Sequence, residues 1–310
     1  MLGSVFALSS AFFWALAVIL FKKAGNTFSP ISLNIYKSVV AFVLIGITMV
    51  ILGIPFFPDV GFRAWGLLIL SGFVGITLAD ICFFTALNRL GAGMVAVVEC
   101  LYLPNVLLFS FLLLDERLGT MGIIGSMLVL CAVAVGSLSP EELNPGELKP
   151  DELKPGGEND GPQLRDSRLS GIIAGILAMI FLALGIVMIK DVLEQTDVFW
   201  ATLVRVTSGC ITLSAIVFFH PRRRQYISEF TFSRSLLTAL PASVIGNYVA
   251  LLFWVAGMKY TTASRAGTLN QMSTIFIFIM AAILLKERIT KQKLIAICMA
   301  VTGAYLTMFS

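Results

Sequence analysis

Long apolar runs separated by short polar stretches follow one another along almost the whole chain. A bilayer core needs about 20 apolar residues per helix, and the chain contains ten runs of this kind. The runs are continuously apolar rather than alternating, and lipid cannot satisfy an open backbone, so we predict helices and not a β-barrel. The predicted spans are 2–21, 31–52, 65–86, 92–114, 119–138, 169–190, 198–219, 236–257, 263–285 and 291–309.

The pattern occurs twice along the chain. A basic residue lies inside the second run of each half, Lys37 and Arg205, at an offset of 168. A Glu-Arg pair follows the fourth run of each half, Glu116-Arg117 and Glu287-Arg288, at an offset of 171. Because each copy has five spans, the second copy enters the membrane from the opposite side. We therefore predict an all-α integral membrane protein with ten transmembrane helices, as two inverted five-helix repeats around a central cavity, which is typical of transporters.

A polar stretch divides the chain into three parts. Residues 1–138 form the first five-helix repeat and residues 169–310 form the second. Residues 139–168 between them are acidic and rich in proline, with a five-residue repeat that begins at Pro140. This segment cannot bury enough apolar surface to offset its ordering entropy. We predict a flexible linker there.

The composition indicates a membrane protein and excludes several classes of function. The chain is 58% hydrophobic and 13% charged, whereas soluble domains carry about 25% charged residues. No Walker-type loop, His-Glu-x-x-His or Gly-x-Ser-x-Gly is present, so we expect neither ATP hydrolysis nor an enzyme. The five cysteines lie in apolar runs without a Cys-x-x-Cys pair, so no metal or cofactor is expected. The basic residues are dispersed along membrane edges, so no nucleic-acid partner is expected.

Four ionisable residues lie inside predicted spans: Lys37, Asp80, Glu99 and Arg205. A charge at a helix centre costs about 2.5–3.5 kcal/mol on insertion scales, so each should face a cavity or a partner. From the rise per residue, Lys37, Asp80 and Glu99 lie roughly 10 Å deep in the same half of the membrane. Lys37 can therefore pair with Asp80 or with Glu99. Arg205 lies at a similar depth from the other side, where no acidic residue of a span is found.

Uncharged polar residues inside spans extend the candidate site. The offset of 171 relates Glu99 to Asn270, so each fourth helix offers a polar group beside a basic residue. Asp80 and Glu99 are also candidate proton carriers. The residues predicted to bind substrate or to gate the cavity are Lys37, Asp80, Glu99, Tyr102, Arg205, Asn247, Asn270 and Gln271. The alternative is that the charges only pair and hold helices together. Aromatic residues away from the interfacial belts predict an aromatic-lined cavity, namely Trp14, Tyr102, Tyr248 and Trp254.

Two matching stretches carry a resemblance to a known family. They run from Leu101 through Leu114-Asp115-Glu116-Arg117, and from Leu269 through Leu285-Lys286-Glu287-Arg288. An apolar fourth helix ending in Leu-x-Glu-Arg is characteristic of the EamA-type ten-helix transporters of the drug/metabolite transporter (DMT) superfamily, which this chain resembles over nearly its whole length. The resemblance implies inverted repeats, a central cavity, and export or exchange of small metabolites, and it fixes no substrate. Helix capping and local pairing account for the Glu-Arg pairs themselves.

We therefore predict a secondary transporter, an exporter or exchanger, of small organic metabolites such as amino acids or amphipathic compounds, working by alternating access. The alternative is an antiporter of phosphorylated metabolites or nucleotide sugars, with Lys37 and Arg205 holding the anion. The expected partners are a small-molecule substrate, the lipid bilayer and protons as the coupling ion. We expect a monomer or weak dimer with many spans in the cell (inner) membrane.

The basic residues are distributed unevenly between the two membrane faces. Loops that follow odd-numbered spans carry 15 Lys and Arg residues, and loops that follow even-numbered spans carry 5. This bias places the odd loops in the cytoplasm and both termini outside. Members of the resembled family are described with both termini in the cytoplasm, so the orientation stays open. Below, the odd-loop face is the membrane face that carries the loops after odd-numbered spans.

Overall fold

The computed structural model describes residues 2–114, 119–137, 161–221, 223–229, 234–261, 263–287 and 290–307. Within these ranges the chain is helical and has no strand, which confirms the predicted all-α class. The α-helices are α1 (Leu2–Ala24), α2 (Pro30–Leu52), α3 (Phe62–Gly72), α4 (Ala79–Glu99), α5 (Tyr102–Leu114), α6 (Thr120–Ser137), α7 (Gly161–Val187), α8 (Lys190–Gln195), α9 (Val198–Phe219), α10 (Arg223–Ser228), α11 (Arg234–Ser243), α12 (Leu251–Tyr260), α13 (Ala263–Asn270), α14 (Met272–Leu284) and α15 (Lys291–Thr307). Two π-helical segments are π1 (Phe73–Leu78) and π2 (Val244–Ala250).

Six helical stretches of the described chain are long and apolar enough to cross a membrane: Leu2–Ala24, Pro30–Leu52, Phe62–Glu99, Arg168–Val187, Val198–Phe219 and Ala239–Tyr260. Shorter apolar helices are Tyr102–Leu114, Ile123–Ala132, Met272–Leu284 and Leu294–Gly303. The predicted linker lies outside the described residues as far as residue 160. From Gly161 the chain is already helical, so α7 begins before the predicted span at 169.

The second helix of each half begins at a residue whose side chain caps it. Ser29 Oγ accepts a hydrogen bond from Ser32 N at the start of α2, where Pro30 occupies the first turn. Asp197 Oδ1 accepts from Phe199 N at 2.8 Å at the start of α9. These caps satisfy amides that have no partner inside the helix. Ser29 and Asp197 are also related by the offset of 168, so the boundary itself is duplicated.

The helical stretch from Phe62 to Glu99 is broken at Gly91, where φ is 78° and ψ is 168°. This region of backbone space is essentially restricted to glycine. The break separates the third predicted span from a short half-helix, Ala92–Glu99. A turn at Cys100 and Leu101 follows before α5 begins.

The fourth predicted span is interrupted at this turn, a few residues before Pro104. Pro104 lies in the first turn of α5, where its missing N–H costs no helical hydrogen bond. Asn105 Nδ2 donates to the carbonyl of Leu101 at 2.7 Å. Asn105 therefore satisfies a carbonyl at the break.

The second half shows the same departures from regular α-helix. Val244, the first residue of π2, follows Phe73, the first residue of π1, by 171 residues. The break between α13 and α14 at Gln271 likewise matches the break after Glu99. Hydropathy gives no sign of these interruptions, because every one of them lies inside an apolar run.

A lysine that binds carbonyls at the end of a helix, here called a lysine clasp, also occurs in both halves. Lys22 Nζ donates to the carbonyl of Leu87 at 3.2 Å, and Lys190 Nζ donates to the carbonyl of Met258 at 2.8 Å. The lysines are related by the offset of 168 and the carbonyl residues by 171. Each lysine thus binds free carbonyls at a helix C-terminus, where a cation is favourable.

The two halves of the chain pack into each other. In the core, α1 packs against α11, α12 and α14 of the second half, α2 packs against α9, α4 against α7, and α6 against α15. The contact between π1 and α7 is a backbone contact at Gly75 and Gly185, because a Cβ added at Gly185 would lie 2.8 Å from Gly75 Cα. These contacts bring polar residues from both halves to one place.

Candidate functional site

A cavity lined by both halves contains most of the predicted site residues. The space that the centres of water molecules can occupy is about 90 Å³, which is enough for several waters. It is lined by Ser10, Trp14, Gly75, Ile76, Asp80, Glu99, Tyr102, Met179, Leu182, Ile186, Arg205, Gly246, Asn247, Ala250, Leu251, Trp254, Asn270, Gln271 and Ser273. Seven of the eight predicted residues are among them, and Lys37 is the exception.

Lys37 lies behind the cavity wall and holds two residues of its lining. Its Nζ lies 2.6 Å from Asp80 Oδ2 and 2.9 Å from Asn247 Oδ1. Asn247 Nδ2 donates to the Lys37 carbonyl at 3.3 Å, so the contact between α2 and π2 is reciprocal. Of the two partners expected for Lys37, the structure selects Asp80.

Glu99 has a different partner, which the sequence did not indicate. Trp14 Nε1 in α1 donates to Glu99 Oε1 at 2.9 Å. Glu99 Oε2 has no hydrogen-bond partner among the described residues, and Glu99 is only 7% exposed. A buried carboxylate oxygen without a partner is costly, so its position in a cavity wall points to a bound molecule or water as its partner.

Arg205 is the cationic counterpart of Glu99 in this cavity. The residue is 2% exposed, and its Nε and Nη1 have no hydrogen-bond partner in the described part of the chain. A Cβ at Gly75 would lie 3.4 Å from Arg205 Nη2, so glycine in π1 leaves room for the guanidinium. Its predicted depth, from the other membrane side, did not indicate that it would share a cavity with Asp80 and Glu99.

The remaining predicted residues take distinct positions. Tyr102 packs edge-to-face on Trp254 with ring centroids 5.6 Å apart, and its hydroxyl has no partner among the described residues. Gln271 Nε2 donates to Thr274 Oγ1 at 2.9 Å, and Asn270 lines the cavity at the break before it. Tyr248, also expected in the cavity, instead bonds the Thr48 hydroxyl at 2.7 Å and lies outside the lining.

Several lining residues were missed from the sequence. Ser10 Oγ donates a hydrogen bond to the carbonyl of Ala250 at 2.9 Å and so links α1 to π2. Met179, Leu182 and Ile186 of α7 give the cavity an apolar wall. Their spacing places them on one helix face, but an apolar stripe in a membrane helix is ordinary, and only the packing identifies this one.

An all-α chain with several membrane-crossing helices is typical of a membrane transporter when it encloses a cavity lined by buried groups of both signs, here with polar atoms that lack a partner among the described residues. The comparisons with known proteins agree. Residues 1–138 and 169–309 match the EamA-like transporter family, so the chain belongs to that family and is a multi-pass membrane transporter of the DMT superfamily. This is a family of transporters and not of enzymes. The resemblance noted from the Leu-x-Glu-Arg stretches is thereby confirmed.

The other comparisons add the fold alone. A solved structure titled "Crystal structure of protein" aligns with 98% of this chain and 95% of its own, with a TM-score of 0.68 and 14% sequence identity. At this identity the likeness shows a shared fold. No curated protein matches the chain.

Proposed function

We propose that the protein is a secondary transporter, an exporter or exchanger, of small zwitterionic metabolites such as amino acids, working by alternating access. The observation that supports this most directly is that Arg205 and Glu99 line the same cavity and that each has a polar atom without a partner among the described residues. A molecule carrying a carboxylate and an ammonium supplies both missing partners, and charge-assisted hydrogen bonds of this kind are the strong ones.

The rest of the lining is consistent with an amino-acid side chain. Trp14, Met179 and Trp254 offer apolar and aromatic surface beside the charged groups. Pockets of this composition bind the apolar body of a ligand and orient it with a few polar groups. We therefore favour zwitterions with an apolar or aromatic side chain.

The antiporter of phosphorylated metabolites or nucleotide sugars is the weaker alternative. Lys37 is already bound to Asp80 and Asn247, which leaves Arg205 as the cation of the described lining. Because Lys37 and Asp80 neutralise each other, a doubly charged phosphate would meet one cation, Arg205, and one carboxylate, Glu99, in the described lining. A small cavity also suits an amino acid better than a nucleotide sugar.

For the architecture we propose ten spans in two inverted repeats, 1–138 and 169–310, joined by the linker 139–168, which is helical from Gly161. Support comes from the offsets of 168 and 171, which relate the lysine clasps, the caps, the π segments and the breaks in the fourth span of each half. Broken helices whose ends meet at a cavity between repeats are a common design for alternating access.

The membrane setting of the proposal follows the sequence. The protein would lie in the cell (inner) membrane as a monomer or weak dimer. The Lys and Arg bias places both termini outside, whereas the topology described for the family places both termini in the cytoplasm. The duplicated chain supplies both halves of the site, so a second copy is not needed to complete it.

The first test is ligand stabilisation of the purified protein by three matched compounds. Phenylalanine should raise the unfolding temperature, because it can bind both Arg205 and Glu99. Phenylalaninamide lacks the carboxylate and N-acetylphenylalanine lacks the ammonium. The affinity for each, obtained from its stabilising effect, should be at least about tenfold lower than for phenylalanine, the typical effect of one lost charged hydrogen bond. Equal stabilisation by all three compounds, or by none while sugar phosphates bind, would contradict the zwitterion proposal.

Proton coupling is assigned to Glu99 rather than to Asp80. Glu99 Oε2 lacks a partner among the described residues, whereas Asp80 is held by Lys37 at 2.6 Å. A proton and a substrate ammonium cannot both bind Oε2, and that competition couples their movements.

Glu99→Gln should therefore abolish transport driven by a proton gradient and leave counterflow exchange of the bound zwitterion measurable in proteoliposomes. Glu194→Gln, at a half-exposed carboxylate paired with Lys190, is the matched control and should keep both activities. Full gradient-driven transport by Glu99→Gln, and also by Asp80→Asn, would exclude coupling through these groups.

A further inference from the structure

The half-helix Ala92–Glu99 is held at its outer end by a carboxylate from the other half of the chain. Glu287, which follows α14, accepts from Ala92 N through Oε1 at 2.8 Å and from Gly93 N through Oε2 at 2.9 Å. These are the first amides after the Gly91 break and have no helical partner. The Glu of the Leu-x-Glu-Arg motif is therefore not a local cap, as the sequence indicated, but a link between halves. Glu116, its counterpart in the motif, lies outside the described residues.

The same half-helix carries Glu99 at its inner end. It is bounded by Gly91 on one side and by the turn at Cys100 and Leu101 on the other. Every residue from Ala92 to Glu99 is buried, and eight helical residues span roughly 12 Å. Because the helix is interrupted at both ends and is regular between them, the segment can move as one rigid piece.

We propose that Glu287 is a positioning residue for Glu99. By binding the first amides of the half-helix, Glu287 sets where Glu99 lies in the cavity, and its release on opening of the odd-loop face moves Glu99 with the helix. The contact is well suited to this, because a carboxylate at a helix N-terminus is favourable but replaceable by water. The functional meaning of the movement rests on the proposed role of Glu99 as a site for substrate and proton.

A second contact of the same chemistry provides a matched control. Glu229 Oε2 accepts from Ser29 N at 2.8 Å, which also joins the two halves at the odd-loop face. Ser29 begins α2, which runs unbroken to Leu52, with no half-helix and no cavity carboxylate at a nearby joint. Loss of the Glu229 contact should loosen that face without moving Glu99.

The native Cys100, next to Glu99, reports on the inner end of the half-helix. It is fully buried, and its Sγ lies 3.6 Å from Thr274 Oγ1 of α14, in the other half of the chain. In protein whose other four cysteines are replaced by alanine, we would measure the rate at which N-ethylmaleimide labels Cys100. This measurement needs no substrate, so its outcome is independent of whether the zwitterion proposal holds.

Glu287→Gln should raise the labelling rate of Cys100 by about 2-fold to 30-fold, the factor that corresponds to loss of one helix cap. Glu229→Gln should leave the rate within about twofold of the parent. A cap that acts only locally would not change reactivity roughly 12 Å away.

Two outcomes would overturn the proposal: an unchanged labelling rate in Glu287→Gln, or an equal rise in both variants. If Glu287→Gln does not fold, the Ala92→Pro variant tests the same contact. It removes the donor to Oε1 while keeping Glu287, and proline is well tolerated at the first position of a helix. Ala92→Pro should raise the Cys100 rate in the same range, and no rise would reject the role of this contact.

Discussion

Replacing Arg205 with methionine should abolish transport while leaving the protein at least as stable as before. Arg205 is buried with two donor groups lacking a partner among the described residues. If it binds the substrate carboxylate, its loss removes a buried charge-assisted contact, which costs affinity on the order of 100-fold or more. The same change removes a buried charge with two nitrogens that lack a partner among the described residues, so the free energy of unfolding should rise or stay constant.

This combination separates a binding residue from a structural one. Affinity for phenylalanine would be measured by ligand stabilisation, transport by counterflow, and stability by denaturant unfolding in detergent. Arg63→Met, at an exposed arginine at the start of α3, should change none of the three. A large loss of stability with unchanged affinity would mean that Arg205 holds the fold through contacts other than a bound ligand.

Charge in an apolar run was the strongest functional signal in the sequence, because insertion energetics alone require such a residue to face a partner or a cavity. That reasoning brought out Lys37, Asp80, Glu99 and Arg205, and counting depth correctly offered Asp80 as a partner for Lys37. The Trp14 contact of Glu99 could not be found in this way. It joins α1 to the far end of α4, and no periodicity encodes which residues of two packed helices meet.

The interruptions of the helices were the main feature that hydropathy could not predict. The break after Glu99 and the break at Gln271 lie within apolar runs, and the π segments contain ordinary membrane residues. What the sequence did carry was the duplication: the offset of 171 relates Glu99 to Asn270, and both residues lie at breaks beside the cavity. The duplicated sequence therefore indicated where the two polar residues lie, whereas the helix breaks beside them could be seen only in the packed structure.

The Glu-Arg motif shows a third kind of limit. Its recurrence after the fourth helix of each half indicated family and fold, but its chemistry was assigned to local capping. The amides that Glu287 binds are 194 and 195 residues away along the chain. A glycine with positive φ at residue 91 creates free amides, and a carboxylate from the other half satisfies them, so the meaning of the motif depends on a contact between the halves.

The ion pair between Lys37 and Asp80 should be the most sensitive point of the fold. The side chains are 2% and 12% exposed and 2.6 Å apart. Lys37→Met would leave a buried carboxylate without its cation, which destabilises proteins by about 3–5 kcal/mol. Asp80→Leu should cost a similar amount, because it leaves the ammonium with Asn247 as its remaining hydrogen-bond partner. Unfolding by denaturant in detergent would measure both.

The double variant Lys37→Met/Asp80→Leu should recover most of that stability, since replacing a buried pair by apolar residues of similar volume is often neutral or stabilising. Transport should not recover, because Asp80 lines the cavity together with Arg205 and Glu99. Glu194→Gln, at the exposed partner of Lys190, should cost no more than about 1 kcal/mol. Recovery of transport along with stability would mean that the pair only holds helices together, and the cavity would then function through Arg205 and Glu99 alone.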